Sequence, residues 1–263
     1  MLDLEVYKSV VQQAPRPGLS NKYRFVPSTQ IIADLSKQGW QLNKVLEANT
    51  KSAKRFGWQK HVMRFRNPSL KLDVLESFPE IVVVNSHDGS TAFQLMAGLF
   101  RLVCSNGLIV ADNMFGNHHI RHVGYTADKV FEAVSQILGF VPRIAERIEE
   151  FSTIELTPDE RGVYAMAACE VKHGRTEGYS IEEILRPRRK ADSKPSLWHT
   201  YNVVQENLLN GNTYRTSRTD ITTLLPVKPV QSVHANVHIN QALWGMAEKM
   251  AEFKKDGIAI LNQ

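Results

Sequence analysis

The chain has 263 residues, of which 43% are hydrophobic, enough to bury a sizeable core in one large domain or in a core with an appended subdomain, so disorder is not the expected state. Its 32 basic and 27 acidic groups leave a formal net charge of +5, which favours a polyanionic partner only where that charge is concentrated in space. The two cysteines, Cys104 and Cys169, lie far apart in apolar surroundings; they suit buried thiols in a reducing compartment and speak against a disulfide framework or a paired-cysteine metal site.

The opening segment through Pro15, Pro17 and Gly18 reads as an arm or linker, since paired prolines remove donors and oppose a continuing helix. It carries acids early and has no basic stretch followed by an apolar run, so no secretory signal is expected. No apolar stretch approaches the roughly 18–20 residues of a membrane helix, and the expected location is the cytoplasm. Ser28 is a candidate N-cap for a helix over 29–38, with Ile31, Ile32 and Leu35 on one face and Gly39 as its stop.

Strand character follows over 41–48 and again over 60–66, where His61-Val62-Met63-Arg64-Phe65-Arg66 alternates and sets the bases on one face. Residues 80–85 and 91–96 flank His87-Asp88-Gly89-Ser90, the pattern of a hairpin turning at Asp-Gly. Residues 99–110 continue as strand, with a turn expected at Ser105-Asn106-Gly107.

After Tyr125 the apolar period changes. Val130, Val134, Ile137, Leu138, Val141, Ile144 and Ile148 predict a long helix over 126–151, kinked or divided by Pro142. Thr157-Pro158-Asp159-Glu160 is a helix start, with cap, N1 proline and first-turn acids, for a helix to about Val171. The segment 174–195 reads as mostly irregular and basic. Ser196 caps a helix to Leu209 that Gly211 ends, and a last helix spans 236–255 with its stop at Asp256-Gly257. The organisation expected from these elements is an N-terminal arm (1–22), an α+β core domain (23–195) and a helical C-terminal portion (196–263) packed on the core. The core is an antiparallel sheet of four or five strands, built from hairpins, against the long helix.

The segment Phe100-Arg101-Leu102-Val103-Cys104-Ser105-Asn106-Gly107-Leu108 resembles a family of phage and plasmid proteins known only as domain of unknown function 932. The resemblance extends to Gly57-Trp58-Gln59-Lys60-His61, to Ile120-Arg121-His122 and to 233–244 with Asn236, Asn240 and Trp244. A looser similarity, in setting and element order, links the chain to the Redβ, RecT and Erf single-strand annealing proteins. That similarity implies a ring or helical homo-oligomer, a basic groove for single-stranded DNA, and no cofactor.

The interval 48–72 holds Lys51, Lys54, Arg55, Lys60, Arg64, Arg66 and Lys71 without an acid, interleaved with Phe56, Trp58 and Phe65. Such bases neutralise phosphates while aromatic faces stack on unpaired bases; the plain alternative is a solvated strand face over core aromatics. The candidate nucleic-acid contacts are Lys54, Arg55, Lys60, Arg64, Arg66, Arg101 and Arg121, with Trp58 for stacking. Arg188, Arg189 and Lys190 form a second candidate loop, which an ordinary exposed basic loop would explain equally.

His118 and His122 stand four apart but lack a completing carboxylate or thiolate, so no metal site is assigned. Cys104 lacks a positioned base and reads as a packing residue. No phosphate loop, dinucleotide fingerprint, zinc-protease motif or nucleophile elbow occurs, so no catalytic residue is assigned and an enzyme is not the expected class. Asn236, Asn240 and Trp244 share a helix face suited to docking. The expectation is a single-stranded DNA-binding protein of phage or plasmid recombination or replication, with annealing as its candidate activity. The competing classes are a host-defence or anti-restriction interaction protein and a metal-dependent nuclease whose loose candidates are Asp112, Asp128 and Glu132.

Overall fold

The computed structural model describes residues 2–70, 77–91, 93–101, 106–110, 118–120 and 126–261. The protein is α+β and divides into two compact units, Met1–Pro142 and Arg143–Gln263. The boundary falls at Pro142, inside a helix that nevertheless runs unbroken from Ala127 to Thr153 (α2). No helix among the described residues is long and apolar enough to cross a membrane.

The first unit opens with a 3-10 turn at Leu4–Val6 and a helix, α1 (Ser28–Ser36). A six-stranded antiparallel sheet follows, formed by β1 (Gln41–Glu47), β2 (His61–Arg66), β3 (Ser77–Asn85), β4 (Phe93–Arg101), β5 (Asn106–Val110) and β6 (His118–Ile120). The strands lie in the order β1-β2-β3-β4-β5, with β6 also paired to β4. Alternation puts Val45, Met63, Phe65, Ile81, Val83 and Leu95 on one face, all buried. That face meets α1, since Ser28 in the helix's first turn reaches His61 and Asn85. Val62, Val82, Val84 and Met96 occupy the opposite face and are buried too. Both faces of the central strands are therefore out of water, and each large side chain so buried contributes about 1.5–3 kcal/mol. The α2 residues Val130, Val134 and Ile137 are buried within this same unit.

Three sequence expectations in this unit need revision. Ser28 is not a cap: Pro27 holds that place without a side-chain hydrogen bond, and the Ser28 hydroxyl turns inward to a buried histidine. Asn106 and Gly107 are ladder positions opposite Arg101 and Phe100 rather than a turn, since β5 already begins at Asn106; Ser105 lies outside the described residues. The arm is docked instead of trailing: Ser9 and Val10 are fully buried, and the Arg16 N–H donates to the His87 carbonyl at 2.9 Å.

The second unit centres on α5 (Leu197–Asn210), which is buried along twelve consecutive residues from Leu197 to Leu208. Half of that run is polar, and burial is tolerable because most of its polar side chains find partners, the Thr200 hydroxyl being the exception among the described residues. Asn202 Nδ2 donates to the Trp198 carbonyl (2.6 Å), Gln205 Nε2 to Asn240 Oδ1 (2.6 Å), and Asn207 Nδ2 to the carbonyls of Ile184 and Arg186 (3.0 and 2.9 Å). Around it stand α3 (Pro158–His173), the short α4 (Ile181–Ile184) and α6 (Val233–Leu261). The Thr157 capping box of α3 is present as its sequence predicts, and Ser196 and Gly211 cap α5. Asn240 and Trp244 fix α6 inside the second unit: Trp244 lies 5.3 Å from Phe151 and 6.2 Å from Tyr201, ring to ring.

Two features lay beyond the pattern. Helix α6 runs past Asp256-Gly257 to Leu261, and a small hairpin, β7 (Tyr214–Thr216) with β8 (Leu224–Pro226), lies between α5 and α6 in the chain.

Gly211 shows what the α5 C-terminus requires. Its φ is +71°, and a Cβ there would lie 2.6 Å from Pro229 N and 2.7 Å from Lys228 C, with the Val227 carbonyl closer still. A left-handed conformation costs an L-residue about 1–2 kcal/mol before any clash, and these neighbours are backbone, which cannot rotate away. Gly211→Ala is expected to destabilise the second unit by more than about 2 kcal/mol, read as a lower urea midpoint. An unchanged midpoint would mean that 227–229 moves aside freely.

Candidate nucleic-acid interface

In the loop between β1 and β2, basic and aromatic side chains meet solvent together. The loop folds back on itself through Arg55 N to Ser52 O (2.9 Å) and Trp58 N to Arg55 O (3.0 Å). Gly57 makes the turn possible: its φ is +87°, and a Cβ would sit 2.8 Å from the Gln12 amide of the arm. Trp58 is then fixed from two sides, since its carbonyl accepts from His87 N (2.9 Å) and its indole N–H donates to the Ala14 carbonyl (3.0 Å).

This folding leaves Lys51, Lys54 and Arg55 exposed, with Phe56 at 58% exposure beside them. Trp58, Lys54, Arg16 and Pro17 line a pocket of about 300 Å³. Arg16 Nε, shielded from solvent, has no hydrogen-bond partner among the described residues. The Arg55 guanidinium stands 3.9 Å from Asp88. Burial alone would raise the Asp88 carboxyl, but hydrogen bonds from Ser90 and Ser86 and the charge of Arg55 together hold it below its ordinary range. That carboxylate is almost wholly buried, so it anchors the loop from beneath while the loop's cations face outward.

Arg64 and Arg66 do not join this surface. They lie on one face of β2 opposite Glu80 of β3, which binds Arg64 Nε at 2.5 Å and Arg66 Nε at 2.6 Å. Arg64 and Glu80 are buried, and Arg66 is partly exposed. The acid that neutralises them comes from a strand 14 to 16 residues further on, which the acid-free interval around them could not reveal. Lys44 faces the same cluster; desolvation against the sheet is the largest cause lowering its pKa, and the like charge of Arg64 adds to it, although the side chain reaches solvent. Lys60 is half-buried at the mouth of β2.

Of the remaining candidates, Arg101 enters only through its backbone position opposite Ser77, and Arg121 lies outside the described residues. Arg188, Arg189 and Lys190 belong to the second unit. Arg189 is held by Asp192 (3.1 Å) and Glu206, and Arg188 donates to Asn207 Oδ1 (2.9 Å) and the Asn212 carbonyl, so both brace the approach to α5. Lys190 is exposed. His118 and His119 contribute backbone positions to β6. No group of three or more metal-ligating side chains occurs among the described residues. Cys169 is buried as a free thiol, and burial pushes its pKa up to about 11; Cys104 lies outside the described residues.

Arg16 is the residue that sequence reasoning missed. The signal lies in Pro15-Arg16-Pro17, a base held extended between two prolines.

Compared with known proteins, the chain is 30% identical over 250 residues to the UPF0380 protein YfjQ of Escherichia coli K12, covering 93% of this chain and 88% of that one. It is likewise 30% identical over 246 residues to the UPF0380 protein YafZ of the same organism, with the same coverage of 93% and 88%. No solved structure matches. The looser likeness to the Redβ, RecT and Erf annealing proteins finds no support in these matches. The model of the family described as Domain of unknown function (DUF932) matches residues 18–244, and the chain belongs to that family.

Proposed function

We propose that the protein binds single-stranded nucleic acid, DNA in the first instance, through the β1–β2 loop and the arm that packs against it, and that it serves strand annealing or protection in phage or plasmid replication and recombination. The observation that supports the reading is the single pocket shared by Arg16, Lys54 and Trp58, with the exposed Lys51, Arg55 and Phe56 alongside. Cations there take the phosphates, and Phe56 and Trp58 offer ring surface to unpaired bases. Stacking of that kind contributes about 1–3 kcal/mol per base and requires the base to be out of a duplex, which favours single strands over double. The pocket requires no cofactor for binding.

The test uses exposed residues, so that folding is spared. Fluorescence anisotropy with an oligonucleotide is expected to show tighter binding to single-stranded than to duplex DNA. If four phosphates are contacted, affinity should fall about fifty-fold between 50 and 200 mM salt. Lys51→Ala/Lys54→Ala/Phe56→Ala is expected to weaken binding at least tenfold and to flatten the salt dependence, with an unchanged circular dichroism spectrum. A variant that binds as the wild type does would remove this surface. Replacing Arg64 would be a poor choice, since loss of its buried ion pair confounds binding with folding.

A further inference from the structure

A groove of about 740 Å³ runs between α3 and α6 in the second unit. Its floor is made of small residues, Ala167, Ala242 and Gly245, and its walls of Val163, Met246, Met250 and Phe253. The two helices run antiparallel along it, because Glu160 near the start of α3 binds Lys254 near the end of α6, while Tyr164 donates to the Leu243 carbonyl. Val163 is 54% and Phe253 63% exposed. A Cβ built at Gly245 would meet nothing within 4 Å, so the floor opens onto unfilled space.

The groove carries its own complement. Phe253 projects as a knob eight residues after Gly245, which at 1.5 Å per residue is about 12 Å along the same helix. A two-fold axis perpendicular to α6 midway between them, near Lys249, would lay a second α6 antiparallel to the first. Each Phe253 then stands over the Ala242–Gly245 floor of the other copy. This is the self-matching arrangement that an isologous contact requires, in which residue i meets j and j meets i. The charges agree with it. Lys249 lies nearest the axis, where like charges would repel, but Glu252 sits 3.0 Å from it on the same rim. Antiparallel pairing offers each lysine the other copy's Glu252 as well as its own.

We infer that this groove is the contact of a symmetric dimer of the chain, with Phe253 of each copy seated on the small-residue floor of the other. The inference rests on residues of the second unit alone and stands apart from the nucleic-acid reading, which uses the first.

Light scattering coupled to size exclusion, run from sub-micromolar to high-micromolar protein, is expected to show dimer forming with concentration. Phe253→Ala removes the knob, and Gly245→Phe fills the floor from a position where an added Cβ meets nothing within 4 Å. Each is expected to shift dimerisation to at least tenfold higher concentration. In the double variant Gly245→Phe/Phe253→Ala, knob and hole have exchanged places, and the dimer is expected to return. A purely structural role for either residue would not produce that rescue. Wild-type protein that stays monomeric throughout would overturn the inference and leave the groove to an apolar helix of a different protein. A dimer unmoved by the single variants, or one not restored in the double, would place the contact elsewhere and overturn it equally.

Discussion

Glu80→Gln is expected to destabilise the first unit by about 3–5 kcal/mol, the range for removing one partner of a buried ion pair. Its carboxylate is fully buried and binds both Arg64 and Arg66. The neutral amide would leave two guanidiniums, with Lys44 nearby, facing one another in a site that water reaches poorly. The loss should appear as faster hydrogen exchange across peptides spanning β2 and β3. Arg64→Met/Glu80→Leu is expected to recover most of the stability, because Arg66 is partly exposed and can turn its charge toward water, while well-packed apolar replacements of a buried pair are often neutral. If Glu80→Gln left exchange unchanged, the two arginines would not depend on that acid, and their exclusion from the binding surface would lose its basis.

The pair of arginines also marks where sequence reading runs out. Alternation along 61–66 correctly placed Arg64 and Arg66 on one face of a strand, since period two is a local property of the backbone. Whether that face meets water is set by which strands pair, and the register that brings Glu80 opposite Arg66 is a long-range fact. The second unit was more legible at its helix ends. Thr157, Ser196 and Gly211 act through hydrogen bonds and backbone angles within a few residues of themselves, and all three terminate helices where their chemistry says they should. Gly257 failed as a stop because a glycine ends a helix only where the chain has reason to leave it, and α6 continues to Leu261. The arm was misjudged for a related reason: two prolines exclude a helix, but they leave an extended segment free to pack, as Ser9 and Val10 do.

That packing has a titratable centre, and acid is expected to loosen it. His61 is completely buried, with Ser9 Oγ of the arm 2.9 Å from Nδ1 and Ser28 Oγ of α1 2.7 Å from Nε2. Burial is the largest cause lowering its pKa, to about 4, against a smaller opposing contribution from the Gln59 carbonyl. The other ionisable groups of this nest are His87, whose ring lies 5.3 Å away, and Glu47, which accepts from Ser9 N at 2.6 Å. A folded pKa below the unfolded value of about 6.5 means that the unfolded chain binds the proton first. The stabilisation is therefore complete above about pH 6.5, declines as pH falls toward 4, and levels off below that. A shift of this size corresponds to about 3 kcal/mol. Urea midpoints measured between pH 7.5 and 4 in wild type and His61→Gln isolate the contribution, because carboxylate titrations are common to both proteins and drop out of the difference. The gap between them is expected to narrow on acidification, with the wild type losing the advantage it holds at neutral pH. Parallel curves would mean that His61 does not carry the proton linkage. Since Ser9 precedes Arg16 on the same arm, and Arg16 N binds the His87 carbonyl, the same acid step should disorder the pocket beside Trp58. Nucleic-acid affinity normally rises in acid as protein charge becomes more positive; here it is expected to fall below pH 5, together with protease resistance of the first twenty residues.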